Sequence, residues 1–289
     1  MSSSLRLYHR ICHMLTEFLP PLYKRRRDNL AWLMTGLHEA EHVHLSKVTD
    51  CRPGRASLTS KTRQLRRFLA NEAIEPRTYY RPMARRLIEA AVRAHDRLRL
   101  LVDIVELPGQ RQVLMAALAY RRRALPLLWS VWRGKGVTSA KTQIAFIQDV
   151  EDLLDGLLPA EKRPIVVADG EFHCVELLRH LDQVGWGYRI RLHSDTCVHL
   201  PDGSVCQLAE LAPRRGERRY LQSVSVTKLH AYGPLSIAIY WGEDEENPWF
   251  IVTDEDEASY LTLRTYSRRM WIEQLFADFE GGGFQLHRS

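Results

Sequence analysis

The chain has 289 residues, with 41 Lys and Arg against 35 Asp and Glu and a formal net charge of +6. A composition of 45% hydrophobic and 26% charged residues is typical of a globular protein and excludes a disordered or low-complexity chain. The five cysteines form no CxxC pair, which argues against a disulfide framework and a structural zinc site. No apolar run reaches the roughly 20 residues that span a bilayer. We therefore expect a cytoplasmic protein without a signal peptide or a membrane partner.

Positive charge is concentrated at the front of the chain. Residues 1–102 contain 20 Lys and Arg and 9 Asp and Glu, a net of +11, whereas the remainder contains 21 and 26, a net of −5. A basic front followed by an acidic remainder predicts a polyanion-binding module joined to a second module. The acidic surplus is tolerable if some of its carboxylates hold cations.

The first part of the chain predicts helices. Apolar residues recur at helical spacing over 5–18 and 30–45, and basic segments follow over 57–69 and 79–95. Seven basic side chains of these segments are candidates for contacts with DNA phosphates: Lys61, Arg63, Arg66, Arg67, Arg81, Arg85 and Arg86. The alternative is that these helices have ordinary solvated surfaces.

Strands dominate from Leu98 onward. Three apolar runs at short spacing, over 98–107, 113–120 and 125–132, predict an antiparallel meander. A helix, a buried strand that ends at Asp169, a second helix and another strand follow. These later elements are predicted over 139–158, 165–169, 172–184 and 188–192. Short strands separated by turn residues over 196–254 predict a β-rich insertion, and helical spacing returns over 259–279.

Two aspartates lie where a metal site is expected. Asp103 ends the run LRLLVD and Asp169 ends the run IVVAD. A carboxylate at the C-terminal end of a buried strand faces the crevice above the sheet, where open α/β sheets bind ligands. Mg²⁺ prefers oxygen ligands and takes one or two carboxylates. Asp103 and Asp169 are therefore candidate ligands, although an aspartate in such a position is often only a turn or cap residue.

The third candidate carboxylate is Glu273, in the segment YSRRMWIEQLF. Tyr266, Arg269, Glu273 and Glu280 are spaced three, four and seven apart, which places them along one face of a single helix. The planar guanidinium of Arg269 suits phosphate oxygens, and Tyr266 can donate beside it. The alternative is a solvated helix face with an aromatic anchor.

These residues resemble the catalytic core of DDE transposases, and in detail the insertion-sequence-four group, whose last acid lies in the signature Y-x2-R-x3-E-x6-K. Tyr266, Arg269 and Glu273 match this signature, and Glu280 stands where Lys is expected. The segments VADGEF around Asp169 and FADFEGGGF after Glu273 also resemble the group. The resemblance covers roughly residue 57 to the C-terminus. The 103 residues between Asp169 and Glu273 suit members that carry a β-rich insertion there.

The resemblance implies a ribonuclease-H-like mixed sheet flanked by helices, with a β-rich insertion and a helical N-terminal DNA-binding domain. The implied domains are 1–97 (DNA binding), 98–195 (first part of the catalytic core), 196–254 (insertion) and 255–289 (final helix of the core). The implied activity is two-metal DNA cleavage and strand transfer of an insertion sequence. Two Mg²⁺ ions, for which Mn²⁺ can substitute, would be held by Asp103, Asp169 and Glu273.

The implied partner is double-stranded DNA, both the element ends and the target, bound by a homodimer in a synaptic complex at the bacterial nucleoid. Phosphate contacts would come from Tyr266, Arg269 and the basic residues of 57–69. Relatives usually continue with further helices beyond the signature, so we expect a C-terminally truncated copy. Two alternatives stay open: an inactive DNA-binding relative of a transposase, and a ribonuclease-H-like nuclease that cuts without joining.

A short zinc-protease pattern also occurs. His38 and His42 frame H-E-x-x-H, and helical spacing would put both imidazoles on one face with Glu39 as the base. The pattern lies in a basic segment without a clear third ligand. We therefore expect no zinc hydrolysis there.

Overall fold

The structure, a computed structural model, describes residues 3–19, 23–134, 136 and 138–281. Contacts between Cα atoms divide it into two compact units. The first comprises residues 1–87, 106–111 and 274–289, and the second comprises residues 88–105 and 112–273. These units reflect packing, and the functional domain boundaries proposed from the sequence stay predictions. None of the helices in the described part of the chain is both long and apolar enough to cross a membrane.

The front of the chain is helical, as the apolar spacing predicts. Its helices are α1 (Ser3–Phe18), α2 (Lys24–Ala40), α3 (Leu45–Asp50), α4 (Leu58–Leu69) and α5 (Pro76–Ala94). A small core forms around Val48, Leu65 and Phe68, against which apolar side chains of α2 pack. The predicted helix over 30–45 is interrupted, because Glu41 adopts the left-handed conformation (φ 47°) that caps α2.

Helices α2 and α3 approach closely at Gly36. A Cβ atom added there would lie 2.3 Å from the Val48 carbonyl oxygen and 2.6 Å from its Cγ1. Both neighbours belong to a buried residue, so neither can move without disturbing the small core. We expect Gly36→Ala to lower the free energy of unfolding by about 1–3 kcal/mol, the usual range for overpacking. Chemical denaturation measures this loss, and an unchanged midpoint would show that the two helices can separate at no cost.

From Leu98 onward the described chain forms a mixed sheet of ten strands and four further α-helices. Its elements, in chain order, are β1 (Leu98–Leu107), β2 (Arg111–Tyr120), β3 (Arg123–Arg133), α6 (Ala140–Leu154), β4 (Pro164–Ala168), α7 (Val175–Gln183), β5 (Gly187–Arg191), β6 (Cys197–His199), β7 (Val205–Gln207), β8 (Arg218–Val226), β9 (Tyr232–Tyr240), β10 (Trp249–Thr253), α8 (Tyr260–Tyr266) and α9 (Met270–Glu280). Short 3-10 turns occupy Gly170–Phe172, Leu208–Leu211 and Ser267–Arg269. The predicted order of strands and helices up to β5 is confirmed.

The strand order is β3-β2-β1-β4-β5-β10-β9-β8-β6-β7. Strands β1, β4 and β5 pair in parallel, and β10 pairs antiparallel with β5. The strands of 196–254 therefore extend the same sheet, because β10 pairs with β5 on one side and with β9 on the other. Beside β1, turns of two or three residues join β1, β2 and β3, and only antiparallel neighbours can be joined so tightly.

Helices cover both faces of the sheet. Successive side chains of a strand point to opposite faces, and β5 shows both sides. The Tyr188 hydroxyl lies 3.5 Å from an Asp182 carboxylate oxygen on α7, whereas Arg189 lines a cavity with residues of α8. Helix α8 packs across β4, β5, β9 and β10. The chain segment that follows α8 therefore starts on the face of the parallel strands that α8 covers.

Candidate active site and nucleic-acid interface

The two predicted aspartates lie side by side. The parallel register of β1 and β4 ends with the pair Val102 and Ala168, so Asp103 and Asp169 are the next residues on adjacent strands. Such strands are about 4.8 Å apart. The expectation that Asp103 ends its strand is wrong, because β1 continues to Leu107 along its neighbour β2. Only the pairing with β4 ends there, and this opens the sheet beside both carboxylates.

Asp169 is held by the turn that follows β4. Its Oδ1 accepts a hydrogen bond of 3.0 Å from the backbone N–H of Glu171 and so caps the 3-10 turn. It also lines a cavity of about 440 Å³ at the carboxyl ends of the parallel strands. Asp169 therefore has both a local structural role and access to a ligand.

The signature residues do not share one continuous helix, which corrects the sequence prediction. Tyr266 ends α8, Arg269 lies in the 3-10 turn, and Glu273 is in the first turn of α9. The Ser267 hydroxyl donates to the Arg264 carbonyl oxygen at 3.0 Å. Bonds of this kind compete with the regular helix ladder. The break leaves Arg269 and Glu273 close enough to form an ion pair.

Arg269 bridges two of the three acids. Its Nη1 donates to Asp103 Oδ2 at 3.0 Å, and its Nη2 donates to Glu273 Oε1. The Arg269 side chain is only 18% exposed and that of Asp103 only 10%. A phosphate contact was expected of Arg269. The structure pairs it with carboxylates, because a buried charge requires an opposite charge nearby, and the phosphate contact stays a prediction.

Asp103 has an unusual electrostatic environment. Its pKa is raised to about 7, chiefly by burial and also by the nearby charges of Asp169 and Glu273, against the opposing effect of Arg269. Its Oδ1 accepts a hydrogen bond of 2.8 Å from the backbone N–H of Ile104. The three acids thus lie near enough to repel one another, which is a common feature of functional sites.

Tyr266 is buried, with 3% of its surface exposed. Its ring meets Trp249 edge-on at 5.3 Å between centroids, and burial raises the pKa of its hydroxyl. That hydroxyl forms no hydrogen bond of regular geometry with a described residue, although the nearby Arg269 opposes the rise of its pKa. This burial agrees with the aromatic anchor of the alternative interpretation, whereas Arg269, whose side chain is only 18% exposed, does not lie on a solvated face. A buried donor beside the acids that lacks a regular hydrogen bond is suited to a ligand oxygen.

The chemistry of the acids suits a hard cation, since all three supply carboxylate oxygens. Within the described ranges, however, no group of three or more His, Cys, Asp or Glu side chains is arranged to hold a metal ion. The Arg269 guanidinium takes the position of a counter-charge between Asp103 and Glu273. Arg269 contacts one oxygen of each carboxylate, Oδ2 of Asp103 and Oε1 of Glu273.

The cavity beside Asp169 includes basic residues that sequence reasoning missed. Arg191 and His193, at and after the end of β5, line it together with Arg269. The His193 Nε2 lies 3.1 Å from the Gly170 carbonyl oxygen, and its ring meets His173 edge-on. A signal was present in the segment YRIRLH, because two arginines in an otherwise apolar strand are unusual.

A separate basic face lies on α4 in the first compact unit. Arg63, Arg66 and Arg67 are exposed, whereas Leu65 and Phe68 on the opposite side are buried. Lys61 is half-buried and donates to the Arg52 carbonyl oxygen. The three arginines are therefore placed to meet a polyanion, and Lys61 is partly committed to the fold.

The zinc-protease pattern does not form the geometry that it needs. Helix α2 ends at Ala40, so His42 lies beyond the helix while His38 lies on it. His38 is exposed and His42 is buried. The His42 Nδ1 accepts a hydrogen bond of 3.0 Å from the backbone N–H of His44. The two imidazoles therefore do not share a helix face.

Comparison with known proteins links the fold to a transposase. The chain is similar to the piggyBac transposase in a cryo-EM structure of its synaptic complex with hairpin DNA, with a TM-score of 0.50 and 10% identity over 97% of this chain and 68% of that chain. At this identity the likeness shows the fold, and it confirms the predicted α/β class with a large mixed sheet. The Marinitoga piezophila Argonaute with a 5′-OH guide RNA matches 78% of this chain and 34% of that chain at 9% identity, with a TM-score of 0.29, and carries no argument about fold. No protein-family model and no curated protein matches the chain.

Residues 282–284, part of the segment that resembles the insertion-sequence-four group, lie outside the described residues.

Proposed function

We propose that the chain is a DNA transposase of the insertion-sequence-four group, in which Asp103, Asp169 and Glu273 hold divalent metal ions. The observation that carries this proposal is the placement of Asp103 and Asp169 side by side on parallel strands, with Glu273 joined to Asp103 through Arg269. The piggyBac-like fold supports it. The partner would be double-stranded DNA, held at two element ends by a homodimer.

The bound ions, Mg²⁺ or Mn²⁺, would activate water and stabilise the leaving oxygen of a phosphodiester. The chain's own residues would position the DNA. The Tyr266 hydroxyl donates to a phosphate oxygen, which satisfies a buried group that otherwise lacks a regular hydrogen bond. Arg269 turns from its carboxylates to the same phosphate, where its planar fork matches two oxygens. Arg191 adds positive charge in the cavity beside Asp169, which Arg269 also lines.

A nicking assay tests the proposed function. Supercoiled plasmid carrying candidate element ends is incubated with the protein in Mg²⁺, in Mn²⁺ or in EDTA. Cleavage is expected with either metal and not with EDTA. A labelled 3′-hydroxyl end that becomes joined to target DNA separates a transposase from a nuclease that only cuts. DNA binding without cleavage in every metal condition would contradict the proposal.

A second candidate function is DNA binding without catalysis. The specific observation that favours it is the Arg269 bridge, which holds Asp103 and Glu273 in ion pairs rather than around a cation. The presence of Glu280 at the lysine position of the signature points the same way. The nicking assay distinguishes this candidate from the first.

The basic face of α4 predicts the salt dependence of DNA binding. Replacing Arg63, Arg66 and Arg67 together by Gln should remove about three phosphate contacts. The slope of log affinity against log salt would then fall in magnitude by about 2 to 3. Fluorescence anisotropy over a salt series measures this slope.

The matched control for that variant removes three arginines elsewhere, at the exposed positions Arg55, Arg93 and Arg111. It has the same net charge as the test variant. An equal fall in slope for both variants would mean that total charge, and not the α4 face, determines the binding.

A further inference from the structure

A second cavity, of about 370 Å³, lies within residues 88–105 and 112–273 and is lined mainly by arginines. Its charged lining consists of Arg97, Arg99, Arg189, Arg264, Arg268 and Glu255. None of these residues lines the cavity beside Asp169. We call it the arginine pocket.

The arginine pocket is built by strands and by the helix above them. Arg99 lies on β1 and Arg189 on β5, while Arg264 and Arg268 lie four residues apart on α8 and the turn that follows it. Alternate residues of a strand share a face, so Arg99 projects to the same side of β1 as Asp103. Four residues of strand place the two about 13 Å apart.

The positive charge of the arginine pocket is only partly balanced. Arg97 pairs with Glu255 at 2.6 Å, and Arg189 pairs with Glu255 at 2.7 Å and with Asp254 at 3.1 Å. Within the described part of the chain, no carboxylate lies at ion-pair distance from the other three arginines of the pocket. These three, Arg99, Arg264 and Arg268, leave a surplus of about three positive charges.

Two of the arginines also have unsatisfied donors. Arg189 is 2% exposed, and its Nε has no hydrogen-bond partner in the described structure. The same holds for the buried Nε of Arg99. The pKa of Arg99 is lowered to about 10, chiefly by burial and also by the charges of Arg268, Arg97, Arg189 and Arg264. Buried donors without partners and mutually repelling cations are both unfavourable in the absence of an anion.

We propose that the arginine pocket is a binding site for phosphate groups. A single carboxylate would leave about two of the three surplus charges unbalanced, whereas a diphosphate or two successive phosphodiesters can balance two or more. Guanidinium groups pair with phosphate oxygens through two parallel hydrogen bonds. A water occupies about 30 Å³ in the liquid, so the pocket has room for such a group together with its remaining hydration.

The phosphate comes either from the DNA backbone or from a free anion. Binding of phosphate in the arginine pocket does not require metal-dependent cleavage. The test uses inorganic pyrophosphate in metal-free buffer, with affinity measured by isothermal titration calorimetry. The test variant is Arg264→Gln/Arg268→Gln, because neither side chain is buried and neither pairs with a carboxylate in the described part of the chain. The control is Arg93→Gln/Arg111→Gln, which removes the same charge from exposed positions outside the pocket.

Wild type and control are expected to bind pyrophosphate alike, and the test variant at least about tenfold more weakly. Its melting temperature at low salt should not fall, since the substitutions relieve repulsion between like charges. A weaker affinity of the test variant for duplex DNA, together with competition between pyrophosphate and DNA, would identify the backbone as the source. Weaker pyrophosphate binding with unchanged DNA affinity would identify a free anion. The proposal is overturned if neither pyrophosphate nor DNA affinity distinguishes the test variant from the control.

Discussion

Asp103→Asn is expected to lower metal-dependent DNA cleavage by at least about 10³-fold, which corresponds to about 4 kcal/mol of transition-state stabilisation. The amide keeps the shape of the carboxylate but loses the negative charge that would hold a cation. DNA affinity should stay within about twofold, because the exposed arginines of α4 are unchanged. Nicking rates and fluorescence anisotropy on the same DNA measure the two quantities.

The control for this prediction is Asp149→Asn, which removes a carboxylate from an exposed position on α6. It should cleave at the rate of the wild type. Cleavage by Asp103→Asn within about tenfold of wild type would remove Asp103 from the catalytic set. The same comparison for Asp169→Asn and Glu273→Gln shows whether the three acids act as one site.

The placement of the two aspartates can be predicted from the sequence because the strands that carry them give strong local signals. The runs LRLLVD and IVVAD are apolar on both faces, and such runs form buried parallel strands. The register that sets Asp103 beside Asp169 then follows from the pairing of β1 with β4. The apolar run over 98–107 has the same bounds as β1, but it does not reveal that the pairing of β1 with β4 ends at Val102, directly before Asp103.

The arrangement around Arg269 is harder to predict from the sequence. Spacing suggested one helix, whereas the chain forms α8, a 3-10 turn and α9. Helical periodicity cannot detect a break of three residues, because the apolar positions on both sides stay nearly in phase. The pairing of Arg269 with Asp103 joins residues 166 positions apart. Such a pair depends on tertiary burial and leaves no local signal.

The arginine pocket was missed for a related reason. Arg189 and Arg191 lie in a short strand that reads as an ordinary element, although a buried arginine is rare and usually paired. The acidic partners of Arg189 are more than 60 residues away, at Asp254 and Glu255. Charged residues within an apolar strand are therefore worth treating as candidates for a site even where no motif contains them.

Asp103→Asn is also expected to stabilise the metal-free protein, by up to about 4 kcal/mol at pH 8, and to leave its stability nearly unchanged at pH 4. The pKa of Asp103 is raised by burial from 3.8 to about 7 in the folded protein. Its contribution to stability is therefore complete below pH 3.8 and is lost as the pH rises to about 7. Over that window unfolding releases a proton, and each pKa unit of difference corresponds to about 1.4 kcal/mol. An asparagine does not titrate and avoids this loss, even though Arg269 then has one ion pair fewer.

Thermal and chemical denaturation in EDTA over pH 4–8 measure the difference between Asp103→Asn and the wild type. A difference that does not change with pH would mean that the carboxyl of Asp103 is already ionised at pH 4. Adding Mg²⁺ at pH 8 should stabilise the wild type more than the variant, because a ligand that binds only the folded state raises its stability according to its affinity. A variant that is more stable than the wild type and yet fails to cleave DNA cannot owe its inactivity to unfolding. The acid that destabilises the metal-free fold would then be the one that catalysis requires, as expected where a site is selected for function at the expense of stability.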